Sequence, residues 1–385
     1  MQSTDKPSSS PAEFLTAYWD IFAGLIFAVL AFLFHKSSMP YLSTLCAAIS
    51  IGALSVTISE VAEILAERLG EPYGSFVLTF SAVAVEILLL FMILSGGDHA
   101  DPQTLETVKS GIISAVIVDM NVLLGLAVFV GGLAFKEQEH NEDTSSTYTT
   151  ILFVSALALL VPSVLQFSSD SAEKLTQASI IISIMLAIFY VFIYIFQTKT
   201  HSHFFKSTAR SRILRMKRKS GEESDEENYD YIFDRFPNIA NLIVIFALIL
   251  VVGFVAEIFA SDGMPVFKEM GISTGLAGLI IAIISVTPEI FTAVKAAKND
   301  QIQRVINIAM GASTVSILLT VPILMALAYM NGIHFTLDFN SLQIGALIFT
   351  VILAWKTTDN GETNYIEGIS HLMLFFCFAV IAALY

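Results

Sequence analysis

Two glutamates stand apart from their surroundings in this sequence. Glu86 lies within FVLTFSAVAVEILLLFMILS (residues 76–95), and Glu289 lies within LAGLIIAIISVTPEIFTAVKAA (residues 276–297). Both stretches are apolar enough to cross a bilayer. A carboxylate at that depth is costly unless it faces a cavity, an ion or a partner. Pro288 adds a second feature beside Glu289, because proline has no N–H and leaves the carbonyl of Ile284 without its helical donor. Irregular backbone at membrane depth is tolerated where it lines protein or a water-filled cavity. A carboxylate, a freed carbonyl and the hydroxyl of Thr287 together form a ligand set for a hard cation. The expectation is a secondary transporter that moves cations against protons.

The elements that must position these groups follow from hydropathy. The chain has 385 residues, is 55% hydrophobic and has a mean hydropathy of +0.73, values that mark an all-α polytopic membrane protein. A span needs about 20 largely apolar residues. That length predicts about eleven helices, near 18–34, 40–66, 73–95, 108–134, 149–167, 176–196, 238–260, 272–297, 302–330, 339–355 and 366–384. Cys46 and Cys377 both fall in apolar runs and are expected to be inert core residues with no disulfide or metal role. The polar N-terminus, 1–17, reads as a disordered tail rather than a cleaved signal.

Lysine and arginine set the orientation. The segment 197–237 carries Lys199, Lys206, Arg210, Arg212, Arg215, Lys217, Arg218, Lys219 and Arg235, so it should be cytoplasmic. Alternating outward puts the N-terminus inside and the C-terminus outside. Only Lys36, Lys109, Lys174 and Lys268 then fall outside, which supports an odd number of spans. Within the same loop the basic run gives way to EESDEENYDYIFD. This reads either as a solvated linker near anionic headgroups or as an acidic helix that gathers cations. His201 and His203 belong to the loop and carry no metal expectation.

Aligning Glu86 with Glu289 exposes a repeat. Each carboxylate helix is followed by a helix with polar residues at depth: Ser114, Asp119 and Asn121 in the first half, and Asn307, Ser313, Thr314, Ser316 and Pro322 in the second. The two units run in opposite directions through the bilayer, as in an inverted repeat with its site at the midplane. The predicted organisation is 1 + 5 + 5: an extra first helix (18–36), a five-helix repeat (37–196), the loop (197–237) and a second five-helix repeat (238–385). Asp119 is a candidate ligand or a structural hydrogen-bond partner. Ser313, Thr79 and Ser81 are candidate oxygens or helix-packing residues. Glu60 and Glu63 would line an inner vestibule or sit hydrated at the interface.

The stretches SEVAEILAERLGEPYGSFVLTFSAVAVEILLL, VFVGGL, FQTKTHSHFF and SVTPEIFTAVKAAKNDQIQRVINIAMGASTVSILLTVP resemble bacterial Cha-type calcium/sodium–proton antiporters. These form part of the cation/proton exchanger branch of the cation/calcium exchanger superfamily. The resemblance covers roughly residues 40–385. It implies eleven spans, two inverted repeats and an acidic cytoplasmic segment between spans 6 and 7. It also implies that Glu86 and Glu289 are the central acids and that 111–125 and 307–322 are the polar partner helices. Family members often carry Gly-Asn-Ala before the glutamate. Here those places hold Ala82-Val83-Ala84-Val85 and Ser285-Val286-Thr287-Pro288, while Asp119 and Val315 stand where amides are common.

The set expected to bind cation or proton is therefore Glu86, Glu289, Asp119, Thr287, Ser313 and the Ile284 carbonyl, with Glu86 and Glu289 as the metal-binding pair. Supporting or vestibule residues are Asn121, Pro288, Thr79, Ser81, Glu60 and Glu63. Two carboxylates can neutralise one Ca²⁺ or each hold a proton, and that exclusion is an exchange cycle. No cofactor is expected beyond the transported Ca²⁺ or Na⁺ and H⁺. The partners are the lipid bilayer and these ions, with no nucleic acid; a homo-oligomer is left open. A channel would use the same glutamates as a filter. No H-E-x-x-H or G-x-S-x-G motif suggests an enzyme.

Overall fold

The computed structural model describes residues 18–69, 73–96, 101–167, 171–201 and 232–384. The expected tail 1–17 and most of the basic–acidic loop lie outside these residues. The chain is helical almost throughout. Helices α1 (Trp19–Lys36), α2 (Pro40–Leu69) and α3 (Tyr73–Gly96) come first. Then come α4 (Pro102–Phe135), α5 (Glu142–Leu160, continued by a 3₁₀ segment Val161–Phe167) and α6 (Ser171–Ile195, continued to Thr200). After the loop come α7 (Asn238–Glu269), α8 (Thr274–Lys298), α9 (Ile302–Met330), α10 (Ser341–Thr358) and α11 (Tyr365–Leu384). Among the described residues ten helices are long and apolar enough to cross a membrane, and α3 contributes a shorter apolar stretch, Val83–Gly96.

Several helices outrun the apolar windows that predict them. The α4 helix begins at Pro102, where Asp101 accepts from the Gln103 N–H and proline occupies the first turn. The α5 helix begins at Glu142 beneath an Asn141 cap, and a capping box of Asn340 and Gln343 starts α10. Hydropathy measures how long a segment stays in hydrocarbon, whereas caps decide where the helix starts. Cys46 is buried as expected. Cys377 is not a core residue, because it lies on the exposed face of α11.

Both halves repeat one order of elements: a long helix (α2, α7), a carboxylate helix (α3, α8), a helix interrupted in its middle (α4, α9), and two more. The tetrapeptide Val61-Ala62-Glu63-Ile64 of α2 recurs as Val255-Ala256-Glu257-Ile258 in α7. The long helices pack against each other, and each carboxylate helix packs against the interrupted helix of the other half. The extra helix α1 lies along α2, where Ser50 and Ser43 donate to the carbonyls of Gly24 (2.8 Å) and Ala31 (3.3 Å) and Thr57 donates to buried Asp20 (2.5 Å). Bonds of this kind hold helices together where the lipid supplies no hydrophobic drive.

The ends of the helices sort into two faces. A two-stranded antiparallel ribbon pairs β1 (Glu137–Glu139) with β2 (Glu362–Asn364), joining the α4–α5 and α10–α11 connections. On this face Gln138 donates to the Ala297 carbonyl (3.1 Å) and to Asp300 (3.0 Å). Arg304 pairs with Glu63, and Arg68 reaches the Phe236 carbonyl at 2.6 Å. At the opposite face Lys109 meets Asp338 at 2.6 Å and His35 meets Asp262 at 2.9 Å. These contacts agree with the alternation of eleven spans.

One close seam between the halves joins α8 to α4. A Cβ on Gly278 would fall 2.6 Å from the Ser110 carbonyl carbon and 2.7 Å from the Gly111 nitrogen, and both of those are backbone atoms that cannot yield. Gly278→Val should therefore separate the two helices at an overpacking cost of about 1–3 kcal/mol or more. The expected outcome is a lower thermal midpoint in detergent by fluorescence-detected size exclusion; an unchanged midpoint would mean that this seam is not a fixed contact.

Candidate functional site

The middle of α4 and the middle of α9 are not α-helical. Val118–Leu124 and Ser316–Thr320 are π-helical segments, one in each half. A π segment carries an extra residue within the helix, turns the side chains around it out of register and is frequent at functional sites. Each of these segments faces the carboxylate helix of the opposite half.

Glu86, on α3, is buried and accepts two hydrogen bonds at Oε2, from Ser316 at 2.9 Å and Thr320 at 3.1 Å. Both donors come from the π segment of α9. Asp119, on the π segment of α4, is buried, and its Oδ2 accepts from Ser313 at 3.1 Å. The second oxygens, Glu86 Oε1 and Asp119 Oδ1, are buried with no hydrogen-bond partner, as are Glu289 Oε2 and Thr314 Oγ1. Asp119 lies within electrostatic reach of both glutamates, and Glu86 within reach of Glu289. Three carboxylates near the middles of their helices thus lie within electrostatic reach of one another with part of their hydrogen-bonding capacity unused. Leaving a buried polar atom unpaired costs about 1–3 kcal/mol, more for a charge, so the arrangement calls for protons or a cation on these oxygens. Among the described residues no three acidic, His or Cys side chains close on one point as a metal cage.

Glu289 is half-buried and borders a small cleft of about 10 Å³, room for about one water, lined by Ser55, Ser59, Ser81, Ser285 and Pro288. Three of these serines give their proton to a carbonyl of their own helix: Ser55 to Ile51 (2.6 Å), Ser81 to Val77 (2.7 Å) and Ser285 to Ala282 (3.0 Å). A hydroxyl with its proton committed in this way has only lone pairs left to offer. The cleft wall is therefore acceptor-rich, as a cation requires.

The expected residues divide as follows. Glu86, Asp119, Ser313 and Glu289 are brought together, and Ser81 and Pro288 line the cleft. Thr287 is turned back on its helix, donating to Ile283 at 2.6 Å. Ile284 lies in the same continuous helix, one turn before Pro288. Asn121 points away from Asp119, donating to Thr350 at 2.8 Å and meeting His371 at 3.0 Å. Glu63 is held in an ion pair with Arg304 between the halves, while Glu60 is exposed on α2. Thr79 is in α3, but its side chain lies outside those described. Sequence reasoning missed Thr320, Ser55, Ser59 and Ser285. Thr320 had a signal, since it follows Ser316 by four residues and so shares its helix face.

A polytopic membrane chain whose central feature is carboxylates and hydroxyls facing each other from two halves belongs to the transporter class. The family model described as sodium/calcium exchanger protein matches residues 38–199 and 241–384, and the chain belongs to that family. It is 27% identical to the sodium-potassium/proton antiporter ChaA of Escherichia coli K12, over 91% of this chain and 93% of that protein. It is 25% identical to a Ca²⁺/H⁺ antiporter of Aphanothece halophytica, over 84% of this chain and 85% of that protein. The fold resembles the solved Ca²⁺/H⁺ antiporter protein YfkE with a TM-score of 0.76 and 20% identity, over 95% of this chain and 99% of that one.

Ser59 of α2, Ser81 of α3 and Glu289 of α8, which line the cleft, each lie in the half of their helix nearer the ribbon-bearing face. In a background with Cys46 and Cys377 replaced by alanine, Ser59→Cys should react with a membrane-impermeant thiol reagent applied to that face. Ser316→Cys, buried beside Glu86, should not. Equal labelling of the two would mean that the cleft is not the approach to the site.

Proposed function

We propose that this chain is a secondary antiporter that exports Ca²⁺ and/or Na⁺, with K⁺ as a further cargo to test, in exchange for protons. One observation carries the reading: three carboxylates within electrostatic reach of one another, Glu86, Asp119 and Glu289, each with a buried oxygen that no protein group satisfies. Protons or a cation can satisfy those oxygens, and the two compete for the same lone pairs. Two negative charges suit one Ca²⁺, which accepts carboxylate, hydroxyl and carbonyl oxygens at about 2.3–2.6 Å. The remaining members of the proposed cation/proton set are Ser313, which holds Asp119, and Thr287 and the Ile284 carbonyl beside Pro288. The activities for which the two relatives are named, Na⁺/K⁺ and Ca²⁺ exchange for protons, support the same class of cargo. A strictly Ca²⁺-specific exchanger is the nearest variant of this reading.

Alternating access follows from the two halves. The recurrent Val-Ala-Glu-Ile of α2 and α7 and the paired π segments of α4 and α9 support an inverted repeat, 37–196 and 238–385, rocking about a site at its interface. The lysine and arginine distribution makes the ribbon face cytoplasmic, so the N-terminus is cytoplasmic and the cleft opens inward. The bacterial origin of the two relatives supports a bacterial inner membrane. With an inward proton gradient, net transport is cation efflux.

Everted vesicles carrying a trapped pH dye test this directly. Adding Ca²⁺, Na⁺ or K⁺ should dissipate the acid interior for the physiological cargo. Cation flux without proton movement would replace the antiporter with a channel. Glu86→Gln and Glu289→Gln should each abolish the response while the protein still inserts, and wild-type rates in either would remove that glutamate from the site. Asp119→Asn should change the cation preference, since it removes one of the three charges; an unchanged preference would reduce Asp119 to a structural hydrogen-bond acceptor.

A further inference from the structure

A second polar cluster lies directly behind Asp119, and the exchange cycle above does not use it. Asn121 and His371 are fully buried, at 0% exposure each, deep in the contact of α4, α10 and α11. His371 Nδ1 lies 3.0 Å from Asn121 Oδ1, and His371 Nε2 lies 3.0 Å from the Thr357 hydroxyl. Asn121 Nδ2 donates to Thr350 Oγ1 at 2.8 Å. With the asparagine in this orientation one directed chain satisfies every link. Thr357 donates to Nε2, the ring donates through Nδ1–H to Asn121, and Asn121 donates to Thr350. The ring is then a neutral imidazole with both nitrogens used.

The backbone makes this contact rigid. A Cβ on Gly125 would fall 2.7 Å from His371 Cβ, and a Cβ on Gly368 would fall 2.7 Å from the Gly125 carbonyl oxygen. Helix α11 therefore rests on the bare backbone of α4 immediately after the π segment. Small residues allow such close approach between membrane helices.

Asn121 and Asp119 are two residues apart on one π segment, and residues at that spacing point to roughly opposite sides of a helix. One side meets the brace of α10 and α11, and the other meets Ser313 and the glutamates. A π segment holds one residue more than an α-helix would, so its position can slip along the helix and rotate the side chains it carries. The amide of Asn121 is the group that the brace grips.

We propose that His371 is a positioning residue for the cation site: through Asn121 it fixes the rotation of the π segment and so the direction in which Asp119 presents its carboxylate. The inference rests on Asp119 belonging to the cation site. It assigns a role in cation affinity and preference to a side chain that touches neither cargo nor carboxylate. Outer-shell partners of a metal ligand typically control affinity by about 10–100-fold.

The test reads binding as well as transport. Purified protein is titrated with Ca²⁺ and Na⁺, and the cation-induced rise in Tm gives an apparent Kd, because a ligand that binds only the folded state stabilises it by mass action. His371→Leu should raise that Kd, and the half-saturating concentration for exchange, by about tenfold or more, with a smaller change in the maximal rate per folded transporter. His371→Asn places an amide N–H where Nδ1–H now donates and should recover most of the loss. Thr350 grips the same asparagine from its other side. Thr350→Val keeps the side chain's shape and removes only the accepting hydroxyl, and it should weaken affinity in the same direction even if His371→Leu does not accumulate.

A wild-type Kd in both His371→Leu and Thr350→Val overturns the proposal. So does a fall in yield and maximal rate with Kd unmoved, or an Asn variant no better than the Leu variant. A wild-type protein that no cation stabilises overturns it together with the site. Cation binding without proton flux would instead overturn the antiporter reading and leave this inference to be judged on Kd alone.

Discussion

The rest of the structure depends on the requirement that a carboxylate in the bilayer be met by partners from elsewhere in the fold. The oxygen of Glu86 that is satisfied is satisfied by Ser316 and Thr320, 230 and 234 positions away in the chain. Asp119 is held by Ser313, 194 positions away. Hydrocarbon supplies no donors, so these bonds form only if α3 packs on α9 and α4 packs beside α9. The two halves are joined at their polar centres as much as at their apolar surfaces. A relative movement of the halves would have to break these bonds to the acids.

The π segments answer a geometric difficulty that follows from that requirement. Ser313, Ser316 and Thr320 all have to face carboxylates, and a straight α-helix carries residues three and seven apart on one stripe only approximately. An additional residue in the turn widens the stripe, so that Ser313 reaches Asp119 while Ser316 and Thr320 reach Glu86. The corresponding segment of α4 lets Asp119 and Asn121 serve different neighbours. One presents charge to the site and the other anchors its helix to α10 and α11. Proline plays a related part in α8, since Pro288 removes a donor beside Glu289 without ending the helix.

At the two faces the interactions are of a different kind. One face is closed by Lys109 with Asp338 and by Gln343, which donates to both Glu106 and Ser110 at 2.9 Å. The backbone of residues 337 and 339 is hydrogen-bonded across to Ser179 and Ser163. The other face carries the ribbon and the Arg304–Glu63 pair. Lys109, Ser110 and Gln343 are themselves buried, but their polar atoms are paired, whereas Glu86, Asp119 and Glu289 each keep a buried oxygen with no hydrogen-bond partner.

Part of the candidate site was legible in the sequence. An isolated Glu86 and Glu289 in apolar runs, and Asp119 beside them, are visible because a charge in hydrocarbon is expensive wherever the chain folds. The number of spans and their alternation follow from the same one-dimensional cost. The partners were not legible in this way. Ser316 stood among polar residues of its helix but gave no sign that it serves Glu86, and Thr287, the more conspicuous hydroxyl beside Glu289, is turned to its own backbone. Nothing in the sequence pointed to Arg304 as the partner of Glu63. Burial cost is a property of one residue in a solvent and can be read from the string of letters. Hydrogen-bond pairing and the rotation of a π segment depend on which helices meet and at what register, and only the tertiary structure decides that.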